Sequence, residues 1–410
     1  MKLVKRYSIL LVLIILAFFF PYSLKNHAKL TMRVIITGFA IDKTADNYEV
    51  TAQAIIPTIA SSGGAGQAKI DFISEEGKSV SDCINSIAYN IGKIAALSHI
   101  TFVMLGEGVV EENMVGQLDF FSRNDKLPDS LLVLVCDGSA KEAISKTKDL
   151  DISVAINMQQ VFLDKEQNMN GLMTSLVDVH NSAKNISNAL CISGFKISSE
   201  TKQGGEESSS SSGESGEQSE GTKESGKARI DYQNKIYLFQ KGNLIGTLDE
   251  EDVLMGFYLS HIKSTYGDIA FEAANDNGEK YYIGINIRDK KESVKASISN
   301  GKIITEITIR LASAKIFELT NSATSSGEFY YEKNLKKLEE YRTKTANYIE
   351  KTVKTFCDKV KELNFDVFMT ADNLFKWCPL EWEAYIKNNG IDDYAKNIEY
   401  KVNCIVQDLF

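Results

Sequence analysis

The sequence predicts a mixed α+β fold with more than one domain, each a β-sheet packed by helices. Three features carry that prediction. Strand-like and helix-like pieces alternate from Arg33 to Ile197, and a Gly/Ser/Glu-rich stretch follows at 200–227. Beyond it come strands of strict period two, then one long amphipathic helix. With 410 residues and 43% hydrophobic content, the chain is long enough for two or three separate cores. The expected organisation is a membrane anchor or signal segment at 1–30, an N-terminal region of two subdomains at 31–199, a linker at 200–227 and a C-terminal α+β domain at 228–410.

The opening segment places the rest. Lys2, Lys5 and Arg6 precede an unbroken apolar run from Tyr7 to Leu24. As a helix, such a run covers about 27 Å, close to the hydrocarbon thickness of a bilayer. Basic residues ahead of it stay in the cytoplasm, so the long remainder is expected outside. Asn26, His27 and Ala28 fit a cleavage site poorly, which favours an uncleaved anchor over a removed signal peptide.

Arg33 to Asp42 and Tyr48 to Ile56 read as paired strands around a turn at Lys43 to Asn47, and Pro57 ends the second. Val80 to Ile94 has helical spacing, with Val80, Cys83, Ile84, Ile87 and Ile91 on one face. His99 to Leu105 returns to strand and Val109 to Phe121 to helix. The apolar run Leu131 to Val135 suits a strand inside a sheet. Asp137, Gly138 and Ser139 offer a helix N-cap. Asp151 to Leu163 and Leu172 to Lys184 read as helices, and Leu190 to Ile197 as a strand.

The 200–227 stretch, with serines throughout 208–212, is too polar to offset its own ordering entropy and reads as a spacer. After it, Lys235 to Gln240 and Leu244 to Leu248 form a hairpin around Gly242 and Asn243. Thr247 and Glu250 stand at capping-box spacing ahead of a helix reaching about His261. Ile283, Ile285 and Ile287, then Val294, Ala296 and Ile298, then Ile303 to Leu311 alternate with polar or small residues, predicting an antiparallel sheet with one buried face. A helix from about Tyr331 to Leu363 carries an apolar stripe that should lie across that face. A last strand, with Ile398, Tyr400, Val402, Cys404 and Val406 on one side, completes the sheet.

Chemistry is sparse. A net charge of -9 argues against nucleic acid as partner, because phosphate contact needs clustered Lys and Arg. The six cysteines form no Cys-x-x-Cys pair, and most sit in apolar runs where the thiol acts as a small hydrophobe. One or two disulfides remain compatible with export. His27, His99, His180 and His261 are scattered, and His99 reads as structural rather than as a base. Gly63, Gly64 and Gly66 lack the Lys and Ser or Thr of a phosphate loop. Acidic neighbours such as Glu75 with Glu76, Glu111 with Glu112 and Asp392 with Asp393 do not face one another. Phe375, Trp377, Trp382 and Tyr385 fit a satellite core better than a recognition surface. No catalytic, cofactor-binding or metal-binding residue is assigned.

Several blocks, in order, resemble the C subunits of GerA-type spore germinant receptors, the Ger(x)C family. They are Ile36 to Asp42 with Tyr48 to Gln53, Glu76 to Ser79, Leu97 to His99, Leu118 to Arg123 and Tyr237 to Leu248. The long helix, Phe365 to Phe368, Pro379 with Trp382 and the closing strand complete the set. The resemblance implies a non-enzymatic extracytoplasmic protein of three mixed α/β domains on the outer face of the spore inner membrane. It implies two integral membrane partners, of A and B type, and a nutrient as ligand of the assembled receptor. That family is typically lipidated on an N-terminal cysteine, whereas the first cysteine here is Cys83, leaving the Tyr7 to Leu24 helix as the expected anchor. The alternatives are an anchored cell-envelope hydrolase using carboxylates such as Glu107 and Asp137, and a stand-alone solute-binding protein.

Overall fold

The structure is a computed structural model describing residues 33–57, 68–146, 171–199, 228–321 and 335–409, apart from positions 113, 126, 129, 263, 266 and 275–277. The Tyr7 to Leu24 run, the Gly63 to Gly66 cluster, the Asp151 to Leu163 helix, the 200–227 stretch and the Tyr331 start of the long helix lie outside these residues.

Strands β1 (Arg33–Thr44) and β2 (Asn47–Pro57) pair antiparallel across a turn in which Ala45 takes a positive φ, and β3 (Ala68–Gly77) continues the meander. Helix α1 (Val80–Asn90) is capped by Ser79, whose hydroxyl accepts the Asp82 N–H, and buries Val80, Cys83, Ile84 and Ile87. It ends four residues before the expected Ile94. Gly92, at φ 61, reverses the chain, and Ile94 opens β4 (Ile94–Ala96), parallel to the start of β1. Leu97–His99 is a single 3-10 turn, so the next strand, β5 (Phe102–Leu105), begins later than expected.

Three short helices replace the one expected over Val109 to Phe121: α2 (Glu107–Val110), α3 (Met114–Gln117) and α4 (Asp119–Arg123). The Met114 N–H donates to the carbonyl of Gly242 at 3.0 Å, and the Glu112 carboxylate is engaged by Lys43 and Tyr48. Tertiary bonds at the joint thus override the helical period. The chain continues as β6 (Leu132–Cys136), α5 (Ala140–Lys146), β7 (Gly171–Leu172), α6 (Leu176–Ser182) and β8 (Ala189–Ser199). The Leu172 to Lys184 helix is therefore shorter than expected. Its start is set by a capping box in which Ser175 and Asp178 each accept the other's backbone N–H.

Strands β9 (Ala228–Gln240) and β10 (Asn243–Leu248) form the expected hairpin, yet they belong to the first sheet. Its order is β10-β9-β8-β6-β5-β1-β2-β3, with β4 beside β1. Strands β1, β5, β6 and β8 run parallel. The C-terminal domain expected from 228 thus lends its first two strands to the N-terminal sheet. Side-chain alternation shows why: Leu190, Ile192, Tyr237 and Phe239 face one core, while Ala189, Cys191, Ile236 and Leu238 face the other. Strands β8 and β9 form a wall with apolar residues on both faces.

Against that wall lies the second half. Helix α7 (Glu251–Ser260) starts at Glu250, which makes no side-chain cap bond; Thr247 sits inside β10 paired with Tyr237, so the expected capping box does not form. Strand β11 (Ser264–Thr265) pairs with β7. Strands β12 (Asp268–Ala274), β13 (Lys280–Ser299), β14 (Lys302–Asn321) and β15 (Ile398–Val406) form a sheet in that order. β13 is one long bulged strand where two were expected, β12 was not anticipated, and β15 joins β14 parallel while the other pairs are antiparallel. Helix α8 (Leu335–Glu362) lies across the apolar face as expected, with Ile349, Val353, Phe356 and Val360 fully buried. Helices α9 (Thr370–Trp377) and α10 (Pro379–Asn389) lead into β15.

All six cysteines are free thiols and five are buried. Burial pushes Cys136 and Cys404 up to about 12. Among the described residues, no helix is long and apolar enough to cross a membrane.

Candidate functional site

The two halves meet along a cavity of about 580 Å³. One wall comes from β7, α6, the following turn and β8, through Leu172, Asn181, Asn185, Leu190 and Cys191. The other comes from the end of α7, from β13 and from the step before α9, through His261, Ile262, Val294, Val367, Phe368 and Met369.

Each wall is fixed locally before it meets the other. Asp178 accepts the N–H and hydroxyl of Ser175 at 3.0 and 2.9 Å, and Thr174 donates to the Cys191 carbonyl at 2.7 Å. His261 stacks on Phe257 with ring centroids 4.8 Å apart. Lys290 reaches back from β13 to the carbonyls of Tyr258 and Leu259 at 2.6 and 3.2 Å, closing the C-terminal end of α7. It also pairs with Glu292 at 2.5 Å. Burial drives the lysine down and the glutamate up from their ordinary values.

The Phe365 to Phe368 step hangs on a buried carboxylate. Asp366 accepts the N–H groups of Thr370 and Ala371 at 2.8 and 2.9 Å and the hydroxyl of Tyr394 at 2.9 Å. Burial raises this carboxyl, with the hydrogen bonds opposing. Met369, between cap and helix, is held in the left-handed region at φ 53. One turn on, Asp372 bridges the halves: its two oxygens take the N–H groups of Ile186 and Ser187 at 2.8 and 3.1 Å.

What this cleft can do is bind. Three chemistry-bearing groups along it are committed to the fold: Asp178 to its cap, the Ser182 hydroxyl to the Val179 carbonyl at 2.7 Å, and the Cys191 thiol pushed up by burial. Among the described residues, no group of three His, Cys, Asp or Glu side chains is placed to hold a metal.

The carboxylates of the hydrolase alternative lie elsewhere. Glu107 and Asp137 follow the carboxyl ends of the adjacent parallel strands β5 and β6, so the fold does bring them to one edge. That edge is where open α/β sheets take ligands, but the chain fills it. The Glu107 N–H donates to the Gly138 carbonyl at 3.0 Å, and Asp137 faces Lys235 at 3.9 Å. Asp42 accepts the first N–H groups of α5, from Ala140 and Lys141, at 2.8 and 2.7 Å, occupying the helix end where an anion would bind. Ser139 caps α5 as the sequence indicated, accepting the Glu142 N–H.

The aromatic group divides. Trp382 and Tyr385 are buried and stacked in a satellite core, while Phe375 and Trp377 are exposed. His99 and His180 are exposed and distant in sequence from any such cluster. The bridging role of Asp372 and the capping role of Lys290 escaped sequence reading. The only local signal was an acid in the first turn of α9 and a lysine in a strand otherwise alternating.

Two family models match the chain, the spore germination protein N-terminal domain over residues 26–197 and the spore germination B3/GerAC-like C-terminal domain over 234–407. The chain belongs to the GerAC-like spore germination family. Its cleft draws one wall from each family domain. The putative spore germination protein YfkR of Bacillus subtilis (strain 168) is 21% identical over 313 residues, spanning 72% of this GerAC-like chain and 71% of the relative. The crystal structure of the GerBC protein covers 94% of this chain and 100% of its own, at 19% identity and a TM-score of 0.45.

Proposed function

We propose that this GerAC-like protein is the extracytoplasmic subunit of a nutrient germinant receptor, held by the Tyr7 to Leu24 helix on the outer face of the spore inner membrane. It acts without catalysis, contacting two integral membrane subunits and coupling their response to a nutrient. The observation that carries this reading is the match of both family domains, in order, to one chain whose halves meet at a bridged cleft. Deleting the gene tests it: spores that lose response to at least one nutrient support the role, and unchanged response to every nutrient the parent recognises refutes it.

The cavity favours a second reading, direct solute binding by this subunit. A solute at about 100 times its dissociation constant adds roughly 2.7 kcal/mol of stability. A thermal scan that stays flat across all germinating nutrients returns the cleft to a coupling role.

A further inference from the structure

We infer that the turn joining α9 and α10 enters the interfacial layer of the lipid bilayer, an inference that rests on the proposed N-terminal anchor. The turn presents Phe375, Trp377 and Leu380 at 60%, 69% and 77% exposure, three large apolar side chains within six residues. Together they leave a large apolar area open to solvent at one helix junction. Trp with Phe and Leu is the composition of side chains that settle at the boundary of headgroups and acyl chains, where the indole keeps its N–H wet. Lys376 lies 4.8 Å over the Trp377 ring, and its stem lets the ammonium stay at headgroup level while the ring goes deeper. Glu381 and Glu383 follow in α10, so the tip carries no net basic charge and needs no anionic lipid.

Topology ties the start of α9 to the end of the first sheet at which β1 begins. Strands β1 and β8 are parallel members of one sheet, so Arg33 at the start of β1 and Ile186–Ser187 just before β8 lie at the same end of it. Asp372 fastens α9 to that end through those two N–H groups, and Trp377 lies about 8 Å further along the helix. The β1 to β8 separation is three strand spacings, about 14 Å. Residues 25–32, between the apolar run and β1, reach at most about 29 Å. A fold tethered on so short a link holds this end toward the bilayer. Ile94, paired with Arg33 and 55% exposed, adds an apolar group to the same end.

The chain has two tryptophans, Trp377 exposed and Trp382 buried, which makes the tip its own probe. The experiment uses the full chain reconstituted in phosphatidylcholine vesicles, with and without lipids brominated near the top of the acyl chain. Flotation with the vesicles reports the anchor, and bromine quenching reports the tip. The expected result is flotation, loss of most Trp377 emission with a blue shift, and no quenching in Trp377→Phe, where only Trp382 remains. Flotation without quenching overturns the insertion and leaves the anchor standing. A concentration-dependent blue shift without quenching overturns it in favour of a second copy covering the tip, and a blue shift without quenching that appears only when the integral subunits are added overturns it in favour of a protein partner. A chain that does not float overturns both readings.

Discussion

Asp372 accepts the Ile186 N–H at 2.8 Å across 186 residues of sequence, and the same carboxylate takes the next N–H, of Ser187. This bidentate contact joins the first turn of α9 to the entry of β8. It is a short-range electrostatic link between regions matched by two separate family models.

Removing it should loosen the junction. Asp372→Ala should cost about 1–3 kcal/mol, the range for a charge-assisted pair of bonds at a partly buried site. Hydrogen exchange should speed up selectively at residues 186–187, with denaturant unfolding giving the magnitude. Asp372→Asn keeps one acceptor and should lose less.

Asp366 makes a prediction about pH. Its folded carboxyl titrates above the unfolded one, which sits near 3.8, so the native state retains a proton that the unfolded chain has released. Its contribution is therefore full below about pH 4 and falls as pH rises through the native value. Asp366→Asn should flatten that part of the stability profile, measured as the denaturant midpoint at several pH values. It should also lower stability throughout by about 2–4 kcal/mol, since an amide nitrogen would face the donors of Thr370, Ala371 or Tyr394.

The Lys290–Glu292 pair is nearly buried, so halves of it are worse than none. Lys290→Met leaves Glu292 without its counter-charge and the Tyr258 and Leu259 carbonyls without their donor. A loss of about 3–5 kcal/mol is expected. Lys290→Met with Glu292→Leu should recover much of it, and a double-mutant cycle by chemical denaturation reads the difference.

Gly256 sets how closely α7 and α8 approach. A Cβ there would stand 2.5 Å from the Cβ of Phe356 and 2.7 Å from the Thr352 carbonyl oxygen. Gly256→Ala gains helix propensity but forces two backbones apart, and a net loss of about 1–3 kcal/mol is expected in thermal or denaturant unfolding.

Elements whose side chains repeat were legible. The alternation in β13 and β14 and the stripe on α8 follow from burying one face, which writes itself into every second, or every third and fourth, residue. Pairings between distant segments were not legible. Nothing local in Tyr237 or Leu238 says that β9 joins β8, and an antiparallel and a parallel partner would leave the same alternation in β15. The Val109 to Phe121 segment has helical spacing, but bonds from Met114 to Gly242 and from Lys43 and Tyr48 to Glu112 break it. At the cleft, the Phe365 to Phe368 step was visible only as one of the blocks that resemble the family. The reason it holds its shape, a carboxylate collecting donors from α9 and from Tyr394, is a matter of three-dimensional convergence.

The pairing of Ser199 with Ala228 makes residues 200–227 the crossing of a very wide hairpin whose ends are pinned side by side. The closure entropy of a loop rises by roughly 0.6 kcal/mol for each doubling of its length. A peptide epitope or a small fluorescent domain spliced there should leave the paired strands in register. The pinned pair Ser199 and Ala228 thus marks a port at which a label enters the chain between two strands that already hold each other.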